Sequence, residues 1–137
     1  MILGIGIDLV SAARIEHLMF QFKDKFLARV FTKEEIKKAK KIEVSKDDIM
    51  PRALFYAKRF AAKEAFAKAL GLGIGRGIDF TDIEIENDEF GAPKITILNQ
   101  KEDFIKKHFN CENFQIKLSL TDENPLASAI VIIEKLS

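Results

Sequence analysis

The run Arg59-Phe60-Ala61-Ala62-Lys63-Glu64-Ala65-Phe66-Ala67-Lys68-Ala69-Leu70-Gly71 is apolar nearly all the way round a helix, yet it carries three cations and a carboxylate. A helix of that kind is packed on most sides, and a charge taken into packing needs a partner. A substrate is the expected partner here. Glu64 and Lys68 are four apart and share one face, with side-chain bases roughly 6 Å apart. Gly71-Leu72-Gly73-Ile74-Gly75 follows directly. This order reads as a phosphate and metal site laid along a helix and completed by a glycine turn.

The 137 residues fit a single domain spanning residues 1–137, long enough to bury roughly two thirds of the unfolded surface. No apolar run reaches the ~18 residues of a membrane span. The start, Met1-Ile2-Leu3-Gly4-Ile5-Gly6-Ile7-Asp8, lacks the basic segment and cleavage site of a signal peptide. A cytoplasmic protein without a membrane partner is the expectation. Cys111 is the single cysteine, which removes a disulfide framework and a thiolate metal site and predicts a buried, inert thiol.

Net charge is +1, but residues 1–76 hold 16 Lys and Arg against 9 Asp and Glu, whereas residues 77–137 hold 6 against 12. Halves of +7 and −6 argue for an anionic ligand or acidic partner on the first half, or for two halves meeting between subunits. Nucleic acid fits poorly, because the cations are interleaved with acids and no RNA-binding or zinc-finger signature is present.

Residues 2–10 alternate as a strand, with Leu3, Ile5, Ile7 and Leu9 on one face and Ile2, Gly4, Gly6 and Asp8 on the other. Glycines on one face admit a close backbone neighbour. If that neighbour is the alanine-rich helix, Asp8 stands beside it. Ser11 caps a helix running to Phe22, and Thr32-Lys33-Glu34-Glu35 opens another as a capping box. Pro51 suits the first turn of a long helix from Arg52 to Leu70. Residues 79–86 and 94–98 form a hairpin around Asn87 to Pro93, Asn99 caps a helix to about Phe109, and two last strands flank Asp122 to Pro125.

Plainer readings of the same residues exist. Asp8 at a strand end can cap a turn, and Glu64 with Lys68 can form an i,i+4 ion pair. Gly71 alone would serve as a left-handed helix cap, but Gly71, Gly73, Gly75 and Gly77 exceed what a cap needs. Close approach to a ligand explains the excess better. His17 and His108 read as surface or interface residues.

Gly4-Ile5-Gly6-Ile7-Asp8, the Arg59 to Ala69 helix, the Gly71 to Gly75 turn, Asp82-Ile83-Glu84-Ile85, Gly91-Ala92-Pro93 and Ser119-Leu120-Thr121 occur in the order seen in bacterial holo-acyl-carrier-protein synthases. The chain resembles that family, phosphopantetheinyl transferases of the small trimeric type, over its whole length. The resemblance implies an α+β fold, an antiparallel sheet wrapped around a long central helix, assembled as a homotrimer with active sites between subunits. It implies transfer of 4′-phosphopantetheine from coenzyme A to a serine of apo acyl carrier protein, releasing adenosine 3′,5′-bisphosphate, in support of fatty acid biosynthesis. Asp8 and Glu64 become the Mg²⁺-binding pair, and Asp8, Glu64 and Lys68 the catalytic set. Mg²⁺ commonly takes one or two carboxylates and completes its shell with water and phosphate oxygens, so two suffice. Arg59, Lys63 and Lys68 are expected to meet phosphates of coenzyme A, with Gly71, Gly73, Ile74 and Gly75 lining its nucleotide cleft. The serine proton goes to Glu64 or to a water on the metal, and the residues do not decide between them.

Arg14, with Lys25, Phe26 and the nearby Lys23, Arg29, Met19 and Phe22, makes a basic and apolar surface suited to an acidic helix. By the resemblance, Arg14 falls at a carrier contact. Two positions depart from the common family pattern, Leu72 where threonine is usual and Asp122 where histidine is usual. A non-catalytic protein that binds coenzyme A or a nucleotide through the same fold is the competing reading.

Overall fold

The computed structural model describes residues 1–137. In chain order these form strand β1 (Ile2–Ser11), helices α1 (Ala12–Phe22), α2 (Asp24–Val30), α3 (Lys33–Lys40) and α4 (Met50–Leu70), then strands β2 (Ile83–Asn87) and β3 (Pro93–Ile97). Helix α5 (Lys101–Phe109) and strands β4 (Phe114–Glu123) and β5 (Leu126–Lys135) complete the chain. The expected α+β arrangement of an antiparallel sheet against a long helix is present.

Helix α4 carries Pro51 in its first turn, where the missing N–H costs nothing. It ends on Gly71 in the left-handed conformation, φ 79°. In between it is buried on almost every side. Its alanine stripe Ala61, Ala65 and Ala69 meets small residues of a three-stranded antiparallel sheet of order β1-β5-β4. On β5 the buried residues alternate, Ala127, Ala129, Val131 and Ile133, as the pleat requires. On β1 the match is tighter still. A Cβ on Gly4 would lie 1.9 Å from the carbonyl oxygen of Ala69, and one on Gly6 would lie 1.9 Å from that of Ala65. Only glycine allows this strand to lie on this helix.

The other face of β1 has no partner within the chain. Ile5, Ile7 and Leu9 are 60%, 62% and 64% exposed, and Ile130 and Leu126 of β5 extend the apolar surface.

The structure corrects several local expectations. A bulge between Ile2 and Gly4 turns Leu3 toward the core and leaves Ile2 exposed, the reverse of strict alternation. Residues 80–82 form a 3-10 turn rather than the start of a strand, because Asp79 and Asp82 cap each other's backbone. Asn99 does not cap α5; its side chain donates to Asp82 Oδ1 at 2.8 Å, and Gln100 holds the cap position in a left-handed conformation. Cys111 is half-buried rather than buried.

The expected caps of α1 and α3 are formed. Ser11 accepts from Ala13 N, and Thr32 and Glu35 exchange backbone hydrogen bonds as a full capping box. The hairpin β2–β3 pairs Asn87 with Pro93 at its turn.

Candidate active site

The close seating of β1 on α4 decides where Asp8 goes. Gly4, Gly6 and Asp8 follow one face of the strand, so Asp8 emerges against the helix once the glycines have brought the two backbones together. Its carbonyl accepts from Ser128 Oγ at 3.0 Å, which ties the strand end to β5. Lys68 Nζ donates to Asp8 Oδ1 at 3.0 Å and to the Ile7 carbonyl at 2.9 Å. The i,i+4 pair between Glu64 and Lys68 is not formed, because the lysine turns to the strand instead.

Glu64 lies beside this pair. Its carboxyl is pushed above the ordinary glutamate range, first by burial and then by the negative charge of Asp8, while Lys68 and Arg14 pull the other way. Arg14 reaches the group from α1, its guanidinium carbon 5.7 Å from the ring centre of Phe60. A glutamate whose ionisation is disfavoured by burial and by a neighbouring carboxylate, flanked by two cations, is an electrostatic pattern that suits a metal and a phosphate. Asp8 and Glu64 offer hard oxygen donors of the type that Mg²⁺ takes, so the donor set fits that ion. No cluster of three or more metal-ligating side chains gathers anywhere in the chain.

Arg59 lies one turn and a half before Glu64 on α4 and is 5% exposed. Its guanidinium carbon stands 3.5 Å from the ring centre of Phe55, Nη2 donates to Asn87 Oδ1 at 3.2 Å, and Nε has no partner. Burial lowers its pKa to about 10, partly offset by Glu35. The guanidinium lines a cleft of about 410 Å³ with Lys58, Asn87, Gly91, Leu120 and Asp122. A buried cation with an unused donor beside a second cation suits an anionic group. Asp122 pairs with Lys58 at 3.6 Å.

Lys63 is a correction. It is completely buried, and Nζ donates to Glu35 Oε1 at 2.6 Å, the Val30 carbonyl at 2.8 Å and the Phe80 carbonyl at 3.1 Å. All three donors of the ammonium are used, so none is left for coenzyme A. Its partner is an internal carboxylate, not a substrate. Glu35 in turn accepts from the backbone N–H groups of Thr32 and Ile85, and Thr32 Oγ1 donates to Glu84 at 2.6 Å. The network locks α3, α4 and β2 together.

The glycine turn leaves α4 with Gly71, Gly73, Gly75 and Gly77 all at positive φ. The amides of Gly71, Gly73 and Gly75 bond the carbonyls of Lys68, Ala67 and Ile78. The alternate amides, of Leu72, Ile74 and Arg76, make no backbone bond. An alternation of this kind leaves N–H groups for an anion. The side chains of Leu72 and Ile74 pack on the core.

His108, read from the sequence as a surface or interface residue, is part of this region. Its Nε2 lies 2.6 Å from the Leu70 carbonyl at the start of the turn. Nothing in its spacing to residue 70 signals the contact, which needs the tertiary docking of α5.

Lys25 and Phe26 line an apolar groove of about 270 Å³ with Leu18, Phe22 and Arg29, between α1 and α2. Arg14 stands one turn before Leu18 on α1 and faces the Phe60 side.

The chain matches the model of the 4′-phosphopantetheinyl transferase superfamily over residues 4–127. It is 41% identical to a holo-[acyl-carrier-protein] synthase of Anaplasma phagocytophilum, with 97% of this chain and 98% of that one covered. Its fold is similar to the crystal structure of a holo-[acyl-carrier-protein] synthase from Neisseria meningitidis, TM-score 0.85 and 35% identity over 98% of this chain and 100% of the other. It is also similar to a holo-(acyl-carrier-protein) synthase from Bacillus anthracis in complex with CoA (3′,5′-ADP), TM-score 0.79 and 34% identity, covering 99% of each chain.

Proposed function

The chain belongs to the 4′-phosphopantetheinyl transferase superfamily, and we propose that it is a holo-acyl-carrier-protein synthase that moves 4′-phosphopantetheine from coenzyme A to a serine of apo acyl carrier protein. The observation that carries this reading is the meeting of Asp8, Glu64 and Lys68 at one point between β1 and α4. In the reaction the serine oxygen bonds the β-phosphorus of coenzyme A as the serine gives up its proton. The bond from that phosphorus to the bridging oxygen breaks, and adenosine 3′,5′-bisphosphate leaves.

Asp8 and Glu64 are the residues that would hold Mg²⁺, which when bound would supply charge neutralisation at the pyrophosphate. Lys68, already within 3.0 Å of Asp8, is positioned to meet the transferring phosphate. Arg59 with Lys58 offers a second anion site in the cleft beside β4, and the unbonded amides of the glycine turn offer a third. Holding the three anionic groups of coenzyme A in fixed places converts much of the barrier into binding.

The carrier protein docks on α1 and α2, where Lys25 and Arg29 rim an apolar groove and Arg14 leads toward Glu64. Basic side chains around an apolar slot suit a small acidic helix. The exposed apolar face of β1 and β5 supports a homotrimer with its sites at subunit contacts. The protein then acts as one domain in the cytoplasm, in support of fatty acid biosynthesis. No helix is long and apolar enough to cross a membrane.

Intact-mass spectrometry of apo acyl carrier protein incubated with the protein, coenzyme A and Mg²⁺, beside an EDTA control, tests this. A gain of one phosphopantetheine that EDTA abolishes is the expected result. Binding of coenzyme A without any gain would leave a non-catalytic coenzyme A-binding protein.

A further inference from the structure

Helix α5 contributes nothing to the metal pair, to the Arg59 cleft or to the groove between α1 and α2. One of its faces is nevertheless committed to the glycine turn. Lys101, Phe104 and His108 recur at helical spacing, and each touches an end of that turn. Lys101 Nζ donates to the Gly77 carbonyl at 3.0 Å. The Phe104 ring occupies the space that a side chain at Gly77 would need, 2.3 Å from an added Cβ. His108 Nε2 meets the Leu70 carbonyl at 2.6 Å. A carbonyl only accepts, so that nitrogen carries a proton and the tautomer is fixed. The ring itself is held, stacked parallel to Phe104 at 6.2 Å and edge-on to Phe109 at 4.8 Å.

The turn therefore has fixed ends and an open middle. Around Gly71, Gly73 and Gly75 no atom lies within 4 Å of an added Cβ. Leu70 O is one of the carbonyls that the end of α4 leaves over, and His108 satisfies it from outside the helix. Four glycines in a segment this short have wide conformational freedom. Three contacts from one helix narrow it.

We propose that α5 is a brace for the glycine turn and that His108 is a positioning residue for coenzyme A, acting through the turn without touching the ligand. The proposal rests on the reading of that turn as a wall of the coenzyme A cleft. Without the brace, the competent shape of the turn is only one among several, and apparent affinity falls in proportion to its population. The chemistry at Asp8 and Glu64 is untouched, so the loss belongs in KM for coenzyme A and not in kcat.

The test is steady-state transfer to apo acyl carrier protein by the full-length protein with coenzyme A varied, for wild type, His108→Ala, His108→Gln and Lys101→Ala. Loss of one such hydrogen bond should raise KM for coenzyme A roughly five- to tenfold in His108→Ala, with kcat within about twofold. His108→Gln keeps a donor and should recover part of the loss. Lys101→Ala removes a tie made at the surface; it guards against a fold defect at position 108 and should raise KM in the same direction. Hydrogen exchange should quicken at the bonded Gly71, Gly73 and Gly75 amides in both alanine variants. Unchanged KM in folded His108→Ala and Lys101→Ala, beside an active wild type, would overturn the brace alone. A wild type that neither binds coenzyme A nor modifies the carrier would overturn the functional reading and the brace with it.

Discussion

Lys68 bypasses Glu64, its neighbour one turn away on the same helix, and bonds Asp8 on the facing strand, Nζ to Oδ1 at 3.0 Å. The two carboxylates are thereby left unequal. Asp8 has a cation in direct contact, whereas Glu64 is held above the ordinary glutamate range by burial and by Asp8.

Glu64→Gln separates stability from activity. A carboxyl with a raised folded-state pKa favours folding below the unfolded value of about 4.5, and that contribution is lost as pH climbs through the folded value. The neutral amide removes the penalty of the ionised form near pH 7. In metal-free buffer the variant should melt at or above the wild-type midpoint, while transfer falls about 100-fold or more through loss of a metal ligand. Differential scanning calorimetry and the mass assay read the two effects. Turnover near wild type would remove Glu64 from the mechanism.

Lys63→Met tests the reassignment of that lysine. It leaves Glu35 buried without its ammonium, so unfolding free energy should drop by roughly 3 to 5 kcal/mol in denaturant titration. For the folded fraction, KM for coenzyme A should stay at the wild-type value. A raised KM without a loss of stability would return Lys63 to the ligand.

The helix from Arg59 to Leu70 and the glycine-faced strand were legible in the sequence, because each follows from spacing along one element; the nearness of Asp8 followed only on the condition that the strand packs on that helix. What was not legible depends on meetings between elements. Lys63 and Lys68 look alike in the sequence, both cations in an alanine-rich helix. Only the fold shows that one points to Glu35 of α3 and the other to Asp8 of β1. His108 was missed for the same reason, since its partner lies 38 residues away. The inward turn of Leu3 was missed because a bulge obeys no period.

Two glycine substitutions should have different costs. Gly6→Ala places a methyl 1.9 Å from the Ala65 carbonyl, backbone against backbone, and should cost about 3 kcal/mol or more. Gly73→Ala meets no atom but keeps a positive φ of 78°, and should cost about 1 to 2 kcal/mol. Chemical denaturation of the pair gives the comparison. Equal costs would refute the close seating of β1 on α4.

Tyr56 is the single tyrosine, and tryptophan is absent, so phenolate absorbance reports this residue alone. Burial, with smaller contributions from Glu35 and Asp24 against Arg52, raises its pKa to about 12. A spectrophotometric titration of the folded protein should show a midpoint near 12 rather than 10. Since the folded value lies above the unfolded one, the associated stability is complete below about pH 10 and disappears as pH rises through about 12. A midpoint at 10 would mean that the ring is solvated.

Strand β1 pairs with β5 alone, and the bond between Ser128 and Asp8 spans 120 positions of chain. Asp8 is therefore held in place by a segment that leaves the ribosome long after it does. A nascent chain that has not reached β5 has no strand to pair with β1 and lacks the tie from Ser128 to the Asp8 backbone. Pairing of β1 with β5 is thus a late event in biosynthesis, governed by a long-range closure that is slow compared with formation of the helices. Until then, the apolar side chains of β1 are available to chaperones and to other unfinished chains.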